Sequence, residues 1–235
     1  MRKKNFLKYL FDFIVIVLGI TVSFWFNQLS IKKSNDLERL KVLNSIEMEI
    51  SEIENYTKER LNSWNDDIDL YSEFLSDKLD LKSIKNITSS KSRIEYNLIY
   101  YRDFEPPMNR YNSMINSGNI KYIDSEKLKE ILTRLHNLNY SNLKTTVEYE
   151  KSLKEQLIQI LTKNHSNILL IGDDNKTSLD NYSRELYSAI KADNELKTNL
   201  IIQMKYFKTR VSLLKLYNYT LSELKDELSI QIEKN

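Results

Sequence analysis

The sequence predicts an all-α protein, with an N-terminal transmembrane helix followed by a long-helix antiparallel bundle of coiled-coil-like character. Its 235 residues include only 3 Gly and 2 Pro, and so few turn-forming residues favour long helices over sheets. No charged residue lies between Phe13 and Ile31. Beyond that segment, apolar residues recur every three or four positions, which is typical of amphipathic helices. The chain therefore divides into a tail and anchor, residues 1–31, and a helical bundle domain, residues 32–235.

The apolar segment has the length and flanks of a membrane anchor. A helix of about 20 residues crosses a hydrocarbon core of roughly 30 Å. The alternatives are a cleaved signal peptide and a buried core helix. A signal peptide ends in a small-x-small cleavage site, whereas this segment ends in Ser23-Phe24-Trp25-Phe26. The rest of the chain is too polar to cover a buried core helix of this length. We therefore favour a retained anchor.

Basic residues lie on both sides of the anchor, so the positive-inside rule comes close to a tie. The N-terminal set is denser and belongs to a very short tail. Its members are Arg2, Lys3, Lys4 and Lys8, against Lys32, Lys33, Arg39 and Lys41 on the other side. We expect the N-terminus inside the cell and the C-terminal domain outside the membrane.

Polar and small residues form a stripe along the anchor. Asp12, Gly19, Ser23 and Asn27 are spaced by 7, 4 and 4 residues, which places them on one side of a helix. Gly19 and Ser23 have the small-xxx-small spacing that lets membrane helices approach closely. The stripe predicts packing between anchors. Alternatively, such small residues are common in membrane helices, and Asp12 and Asn27 mark the two membrane interfaces.

A long helix is predicted from Asn35 to Leu79, continuous with the anchor. Leu43, Ile46, Ile50 and Ile53 follow a 3-4-3 spacing. The pattern resumes after a slip, which predicts a coiled-coil stutter near Thr57. The resumed positions are Leu61, Trp64, Ile68, Tyr71 and Leu75. The first break is predicted at Ile87–Ser92.

The middle of the chain is predicted to form shorter segments, and it is richer in aromatic residues. Arg93–Phe104 is predicted as a short helix or an extended segment, stopped by Pro106-Pro107. A short helix, Pro107–Asn116, follows, and Gly118 is placed to cap it in a left-handed conformation. Asp124 or Ser125 then caps a helix that runs to about Lys163. Its predicted inward side chains are Leu128, Ile131, Leu135, Leu138, Leu143, Leu153, Leu157 and Ile160.

The C-terminal third is predicted as a loop and two helices. The loop is His165–Lys176, in which Gly172-Asp173-Asp174-Asn175 forms a polar turn. Thr177 or Ser178 caps a helix that ends near Ala192, and Asp193 or Asn194 begins the last one. Apolar residues of that last helix keep the 4-3 spacing of a buried stripe. They are Leu200, Met204, Phe207, Val211, Leu214, Leu221, Leu224 and Leu228.

Catalytic motifs are absent from the sequence. It contains no cysteine, which removes thiolate catalysis and cysteine-ligated zinc, and its isolated glycines cannot form a phosphate-binding loop. His136 is expected at the surface or its boundary, and Asp66, Asp67 and Asp69 on a solvated face. We expect no enzyme activity, cofactor or metal site, and interleaved charges argue against nucleic-acid binding.

Tyrosines are the strongest candidates for a binding surface. Tyr100, Tyr101, Tyr111 and Tyr122 fall in the middle segment, and tyrosine is common at protein contacts because it combines an apolar ring with a hydroxyl. They predict contact with a protein partner. Core packing, with the hydroxyls reaching water, explains them equally well.

The anchor and the helix after it resemble a family of uncharacterised bacterial single-pass membrane proteins. The resemblance rests on KYLFDFIVIVLGITVSFWFN, Lys8–Asn27, and on the charged helix that follows. A second likeness covers Phe104 to Leu135, with Ser117-Gly118 at its turn. Where the family carries Trp after the amide pair, this chain has Leu29-Ser30. The resemblance supports a location in the bacterial inner membrane and a single-pass architecture, and it implies no activity. The basic N-terminal tail, and not the resemblance, predicts a periplasmic C-terminal domain.

Together these observations predict a membrane-anchored bundle with a structural, scaffolding or interaction role. Its expected partners are the lipid bilayer, further copies of itself as a homo-oligomer, and another protein. The alternatives are an extracytoplasmic sensor or ligand-binding subunit that signals through a partner, and a membrane-perturbing effector.

Overall fold

The computed structural model describes the backbone of residues 2–173 and 177–233, and the side chains of residues 9–171 and 177–233. The fold is all-α, as predicted. The helices are α1 (Arg2–Leu75), α2 (Leu81–Ile87), α3 (Lys91–Ile99), α4 (Asn109–Asn116), α5 (Glu126–Thr133), α6 (Tyr140–Asn164), α7 (Ser166–Asp173), α8 (Leu179–Ala192) and α9 (Asn194–Glu233). A 3-10 turn (Asn119–Tyr122) precedes α5, and a π-helical segment (Arg134–Asn139) joins α5 to α6.

Helix α1 runs without a break from the apolar segment into the bundle. It contains 74 residues, or about 110 Å at a rise of 1.5 Å per residue. No Gly or Pro interrupts it after Gly19, so every later residue can keep its helical hydrogen bond. Its side chains are exposed from Tyr9 to Leu37, and burial begins at Val42. One helix therefore forms both the apolar segment and a wall of the bundle.

Among the described residues, one helix, α1, is long and apolar enough to cross a membrane. None of the side chains in its most apolar stretch is buried by the rest of the chain. This exposure distinguishes it from the core helix of a soluble protein. A signal sequence near the N-terminus satisfies the same criteria of length and composition.

The buried side of α1 keeps a single heptad register, and the predicted stutter near Thr57 is wrong. The 3-4 spacing is kept by the buried residues Leu43, Ile46, Ile50, Ile53, Thr57, Trp64, Asp67, Tyr71 and Phe74, with the half-buried Arg60 between Thr57 and Trp64; Val42, Glu49 and Leu70, each next to one of these, are also buried. The polar residues Thr57 and Asp67 occupy core positions. A prediction that follows apolar residues alone therefore assigns Leu61 and Ile68 to the core, although both are only half-buried.

The first break in the chain comes earlier than predicted. Helix α1 ends at Leu75 rather than Leu79, and the turn Ser76–Asp80 separates it from α2. The Ser76 hydroxyl donates to a carbonyl of the last turn of α1 at 2.8 Å, and the Asp80 carboxylate caps α2. Both side chains compete with the backbone bonds of a continuing helix. The predicted break at Ile87–Ser92 is the second one.

After this break, residues 76–125 run back along α1. The segment predicted as helix or extended begins as helix: α3 ends at Ile99, Tyr100 is extended, and residues 100–108 form neither helix nor strand. Four contacts mark the path down α1, in chain order Asn97–Tyr71, Arg102–Asp67, Tyr111–Glu49 and Asp124–Arg39. From Tyr71 to Arg39 the path covers about 48 Å of α1.

The helix predicted from Ser125 to Lys163 is present, with a π-helical segment inside it. Ser125 is the cap, accepting a hydrogen bond from the Leu128 N–H at 3.2 Å. The π-segment, Arg134–Asn139, adds a residue to one helical turn, so the positions that point into the core shift along the sequence. Leu138, predicted to point inward, is consequently 58% exposed.

The predicted loop His165–Lys176 is wrong over most of its described length, because Ser166–Asp173 forms α7. The apolar residues Ile168–Ile171 lie within α7, and Ile168 is buried in the core. The rest of the predicted loop, Asp174–Lys176, lies outside the described residues, and with it Asp174 and Asn175 of the predicted polar turn. Ser178 caps α8, and Asp193 caps α9 through the N–H groups of its first turn.

Helix α9 runs antiparallel to both α1 and α6. Against α1, Lys225 pairs with Glu54 and Gln203 with Tyr71. Against α6, Thr220 bonds to Asn139 just before its start, and Asn199 bonds to Leu153. Helices α1 and α6 run parallel, because the return segment 76–125 lies between them in the chain. The predicted antiparallel order therefore holds for the pairs α1–α9 and α6–α9, and it does not hold for α1 and α6.

Gly118 follows α4 in the left-handed conformation that its position predicts. Its φ is +71°, and its N–H donates to the carbonyl of Ile115 at 3.1 Å. No atom lies within 4 Å of the place a Cβ would occupy. Any penalty for a side chain here therefore comes from the backbone conformation and not from a clash.

Gly118→Ala should lower the free energy of unfolding by about 1 kcal/mol, because a Cβ is strained in the left-handed region. Gly118→Val should cost more, since its β-branched side chain is less tolerant of this conformation. Chemical denaturation of the purified protein measures both. Gly19→Ala is the matched control, because Gly19 is helical and also has open space around it. An unchanged midpoint for Gly118→Val would contradict the assigned cap.

Candidate functional site

The interior of the bundle contains charged residues at positions where coiled coils carry apolar ones. On α6, the buried positions Leu143, Val147, Glu150, Lys154, Leu157 and Leu161 follow a 4-3-4-3-4 spacing. On α9, buried polar residues interrupt the apolar stripe in the same way, among them Gln203, Arg210 and Glu227. The sequence thus directs two charged residues of α6 and two of α9 into buried positions.

Arg210 is fully buried and all its contacts are polar or aromatic. Its Nη1 donates to Glu150 Oε2 at 2.5 Å, its Nε to Thr146 Oγ1 at 3.0 Å and its Nη2 to the Thr146 carbonyl at 2.7 Å. The guanidinium lies over the Trp64 ring at 5.1 Å from the centroid. This set of partners compensates for the loss of water around the buried charge.

Lys154 is also buried, and its ammonium begins a chain of hydrogen bonds across the bundle. Its Nζ donates to Tyr71 Oη at 2.8 Å and to the carbonyl of Asn97. The Tyr71 hydroxyl lies 2.9 Å from Gln203 Oε1, and Gln203 in turn donates to Asn199. Burial lowers the pKa of Lys154 to about 8, because desolvation outweighs the attraction of Glu150.

A third buried pair ties the return segment to α1. Arg102 donates to both carboxylate oxygens of Asp67, at 2.9 and 3.2 Å, and to Asn97 Oδ1 at 3.1 Å. The expectation of a solvated face for the three aspartates is therefore wrong for Asp67. Asp66 is half-buried and pairs with Arg93 at 2.6 Å, and Asp69 is exposed as predicted.

His136 is buried, in contrast to the surface position that was predicted. The π-segment places its ring against Tyr111, stacked at 3.9 Å between centroids. Nε2 lies 3.1 Å from Glu49 Oε1 and Nδ1 lies 2.9 Å from the Leu132 carbonyl. Glu49 also accepts the backbone N–H groups of Arg110 and Tyr111. This cluster joins α1, α4 and the π-segment.

These buried polar groups bond to one another across the bundle. Among the side chains of residues 9–171 and 177–233, no group of three His, Cys, Asp or Glu residues is placed to hold a metal ion. Directional pairs such as Arg210–Glu150 oppose the sliding of one helix along another, because a shift would leave a charge buried and unpaired. The polar core therefore fixes the register of α1, α6, α9 and the return segment.

The four predicted contact tyrosines do not come together. Tyr111 is buried against His136, and Tyr101 and Tyr122 are half-buried beneath Lys151 and Lys121 respectively. Tyr100 is exposed and stacks on Tyr96 at 5.2 Å. They are distributed along the return segment, and partner contact at these tyrosines stays a prediction.

The predicted anchor stripe lies on an exposed part of α1. Asp12, Gly19, Ser23 and Asn27 are all exposed, and no atom lies within 4 Å of a Cβ built on Gly19. The Ser23 hydroxyl donates to the Gly19 carbonyl at 2.8 Å, so its proton is satisfied within its own helix. The surface of the stripe is open, and packing between anchors stays a prediction.

The buried charges were not identified as a site, although the sequence carries a signal for them. Glu150 and Lys154 fall within the 4-3 pattern of α6, and Arg210 within that of α9. A charged residue at a core position must find a partner. The pattern reveals which residues are buried, and only the packed helices reveal how they pair.

Replacing Arg210 by Met should be strongly destabilising, because it leaves the Glu150 carboxylate buried without its closest partner. Loss of one member of a buried pair typically costs about 3–5 kcal/mol of unfolding free energy. Adding Glu150→Met to the same variant should recover most of this loss. Denaturant unfolding of the single and double variants tests the pair, and additive losses in the double variant would contradict it.

Stability should rise between pH 8 and 10 because of Lys154. Its pKa is about 8 in the folded protein against an ordinary 10.5, so the unfolded chain binds this proton more tightly and loses it at higher pH. Burial raises the pKa of Tyr71, so that group opposes the trend only above about pH 10. Lys154→Met should flatten the rise in melting temperature, while Lys58→Met, at an exposed position, should not. A flat wild-type profile over this range would refute the assignment.

No known family profile, curated protein or solved structure matches this chain. The resemblance to bacterial single-pass membrane proteins therefore stays a prediction. Two features of the chain's own geometry bear on its function. One is the exposed apolar part of α1, and the other is the helical bundle whose register the buried charges fix.

Proposed function

We propose that this chain is a single-pass membrane protein whose helical bundle has a structural, scaffolding or interaction role at the membrane surface. The observation that carries this proposal is the continuity of α1. Residues 9–37 expose a wholly uncovered helix, and the same helix forms a wall of the bundle from Val42 onward. A bilayer is the environment that gives such an apolar surface a favourable place.

The exposed segment is unlike the remainder of the surface. Its large side chains from Phe13 to Phe26 are between 42% and 64% exposed, and they surround the helix on all sides. A soluble protein rarely exposes contiguous apolar surface on this scale. The apolar stretch ends in Ser23-Phe24-Trp25-Phe26, without the small-x-small cleavage site of a signal peptide, which supports a retained anchor.

The bundle is joined to the anchor without a hinge. From Leu29 to Leu75 the helix covers about 70 Å, and Trp64 and Tyr71 of this helix lie in the core. A rigid connection of this kind favours a structural role, because it holds the bundle at a fixed height and orientation. We place the N-terminus inside the cell and the bundle in the periplasm, on the basis of the dense N-terminal basic residues.

Lysines introduced into the apolar segment should release the protein from the membrane. Ile16→Lys with Ile20→Lys adds two charges near the middle of the span, each costing about 2.5–3.5 kcal/mol on insertion scales. Leu170→Lys with Tyr219→Lys is the matched control, since both residues are exposed on the bundle. Fractionation after an alkaline wash measures retention.

Wild-type and control proteins should stay with the membrane, and the anchor variant should move to the soluble fraction. A reporter fused after Asn235 should be active only in the periplasm. Recovery of the wild type in the soluble fraction would contradict the proposed function, and reporter activity in the cytoplasm would reverse the orientation.

A further inference from the structure

The outward side of α6 and α9 has a stripe of uncharged side chains, called here the α6–α9 face. It is defined by Leu138, Thr145, Tyr149, Ile202, Thr209 and Leu216, all exposed. Leu138 belongs to the π-helical segment that leads into α6, and the α9 members are spaced by 7 residues, which keeps them on one side of the helix. In a chain with 29% charged residues, six exposed uncharged positions in line form a distinct surface.

The shape of this face is a ridge beside a groove. Tyr149 and Tyr206 stack across the two helices, with centroids 5.2 Å apart. Next to them a groove of about 590 Å³ lies between α6 and α9, lined among others by Leu153, Ile160 and Ile202. Ridges that fit grooves are the usual basis of helix–helix packing. The face therefore has the relief that a second pair of helices requires.

Charged residues of opposite sign border the face at the same height. Glu148 lies exposed on α6, and Lys205 and Lys208 lie exposed on α9, where Lys205 is on the same side as Ile202 and Thr209. The heights of Glu148 and Lys208 match because Tyr149 stacks on Tyr206 and Thr146 bonds to Arg210 on either side of them. When two such faces meet about a two-fold axis parallel to the helices, α6 of one copy opposes α9 of the other. Glu148 of each copy then opposes Lys208 of the other.

We propose that the α6–α9 face binds the same face of a second copy of this chain, forming a parallel two-fold dimer. The inference rests on the proposed function, because anchors in one membrane hold two copies parallel and at equal height. In a two-fold interface the same patch serves both partners. An uncharged centre avoids like-charge contact at the axis, and the acidic and basic borders complement each other. Confinement to one membrane also raises the effective concentration of the partner.

Crosslinking of single cysteines in the full-length protein tests this dimer, since the chain contains no cysteine of its own. Thr209→Cys places a thiol on the face, and Asn62→Cys places one on an exposed position of α1. The probe is a short bismaleimide added to membranes, with a reach of about 10 Å, comparable to the distance between packed helices. We expect dimer of twice the chain mass from Thr209→Cys, several-fold more than from Asn62→Cys.

Charge reversal then distinguishes this face from random collision. In the Thr209→Cys background, Glu148→Lys should reduce the crosslinked dimer several-fold, and so should Lys208→Glu. The two reversals together should restore it, because the opposed charges attract again. Both residues are exposed, so neither change disturbs the core.

The outcomes separate this inference from the proposed function. Equal crosslinking at positions 209 and 62, failure of the double reversal to restore the dimer, or an adduct with a protein of different mass would overturn the two-fold interface while the protein remains in the membrane fraction. Recovery of the chain in the soluble fraction would overturn the proposed function, and the parallel dimer with it.

Discussion

The rest of the structure depends on the continuity of α1. Because no residue interrupts this helix between the apolar segment and Leu75, it forms one long rod on which α2, α4, α8 and α9 pack, while α5 and α6 pack on α9. Helix α9 lies antiparallel along it, and residues 76–125 return down its length. The bundle is consequently elongated, and its orientation relative to the apolar segment is fixed by backbone hydrogen bonds rather than by a flexible linker.

Buried ions then decide how the other elements align on this rod. A wholly apolar seam would tolerate shifts by a heptad at small cost, whereas a shift here would separate Arg210 from Glu150 and Arg102 from Asp67. Separated charges in the core are expensive because they have lost their water. The polar core thus contributes specificity of register. The π-segment contributes to the same end, since it places His136 against Glu49 and Tyr111.

Local signals in the sequence predicted much of the fold. The caps at Ser125, Ser178 and Asp193 and the left-handed Gly118 depend on short-range geometry, and each is found where its residue type indicates. The errors have a common cause. The stutter at Thr57, the solvated Asp67 and the surface His136 were all predicted from polarity, and all three residues are buried. Thr57 bonds to the Glu54 carbonyl of its own helix, whereas Asp67 and His136 pair with residues of other segments. Polarity alone reports neither kind of partner.

By itself, the sequence determined the helical class, the uncovered apolar segment and the beginnings of most helices, because these depend on composition and on interactions within about four residues along the chain. Tertiary structure alone decided which polar residues are buried, the parallel course of α1 and α6, and the separation of the four tyrosines along the return segment. It also decided that Leu138, Tyr149 and Leu216 share an outward face. These features depend on contacts between residues distant in sequence. Such a contact stabilises the fold only when the helices that carry the two residues are packed together.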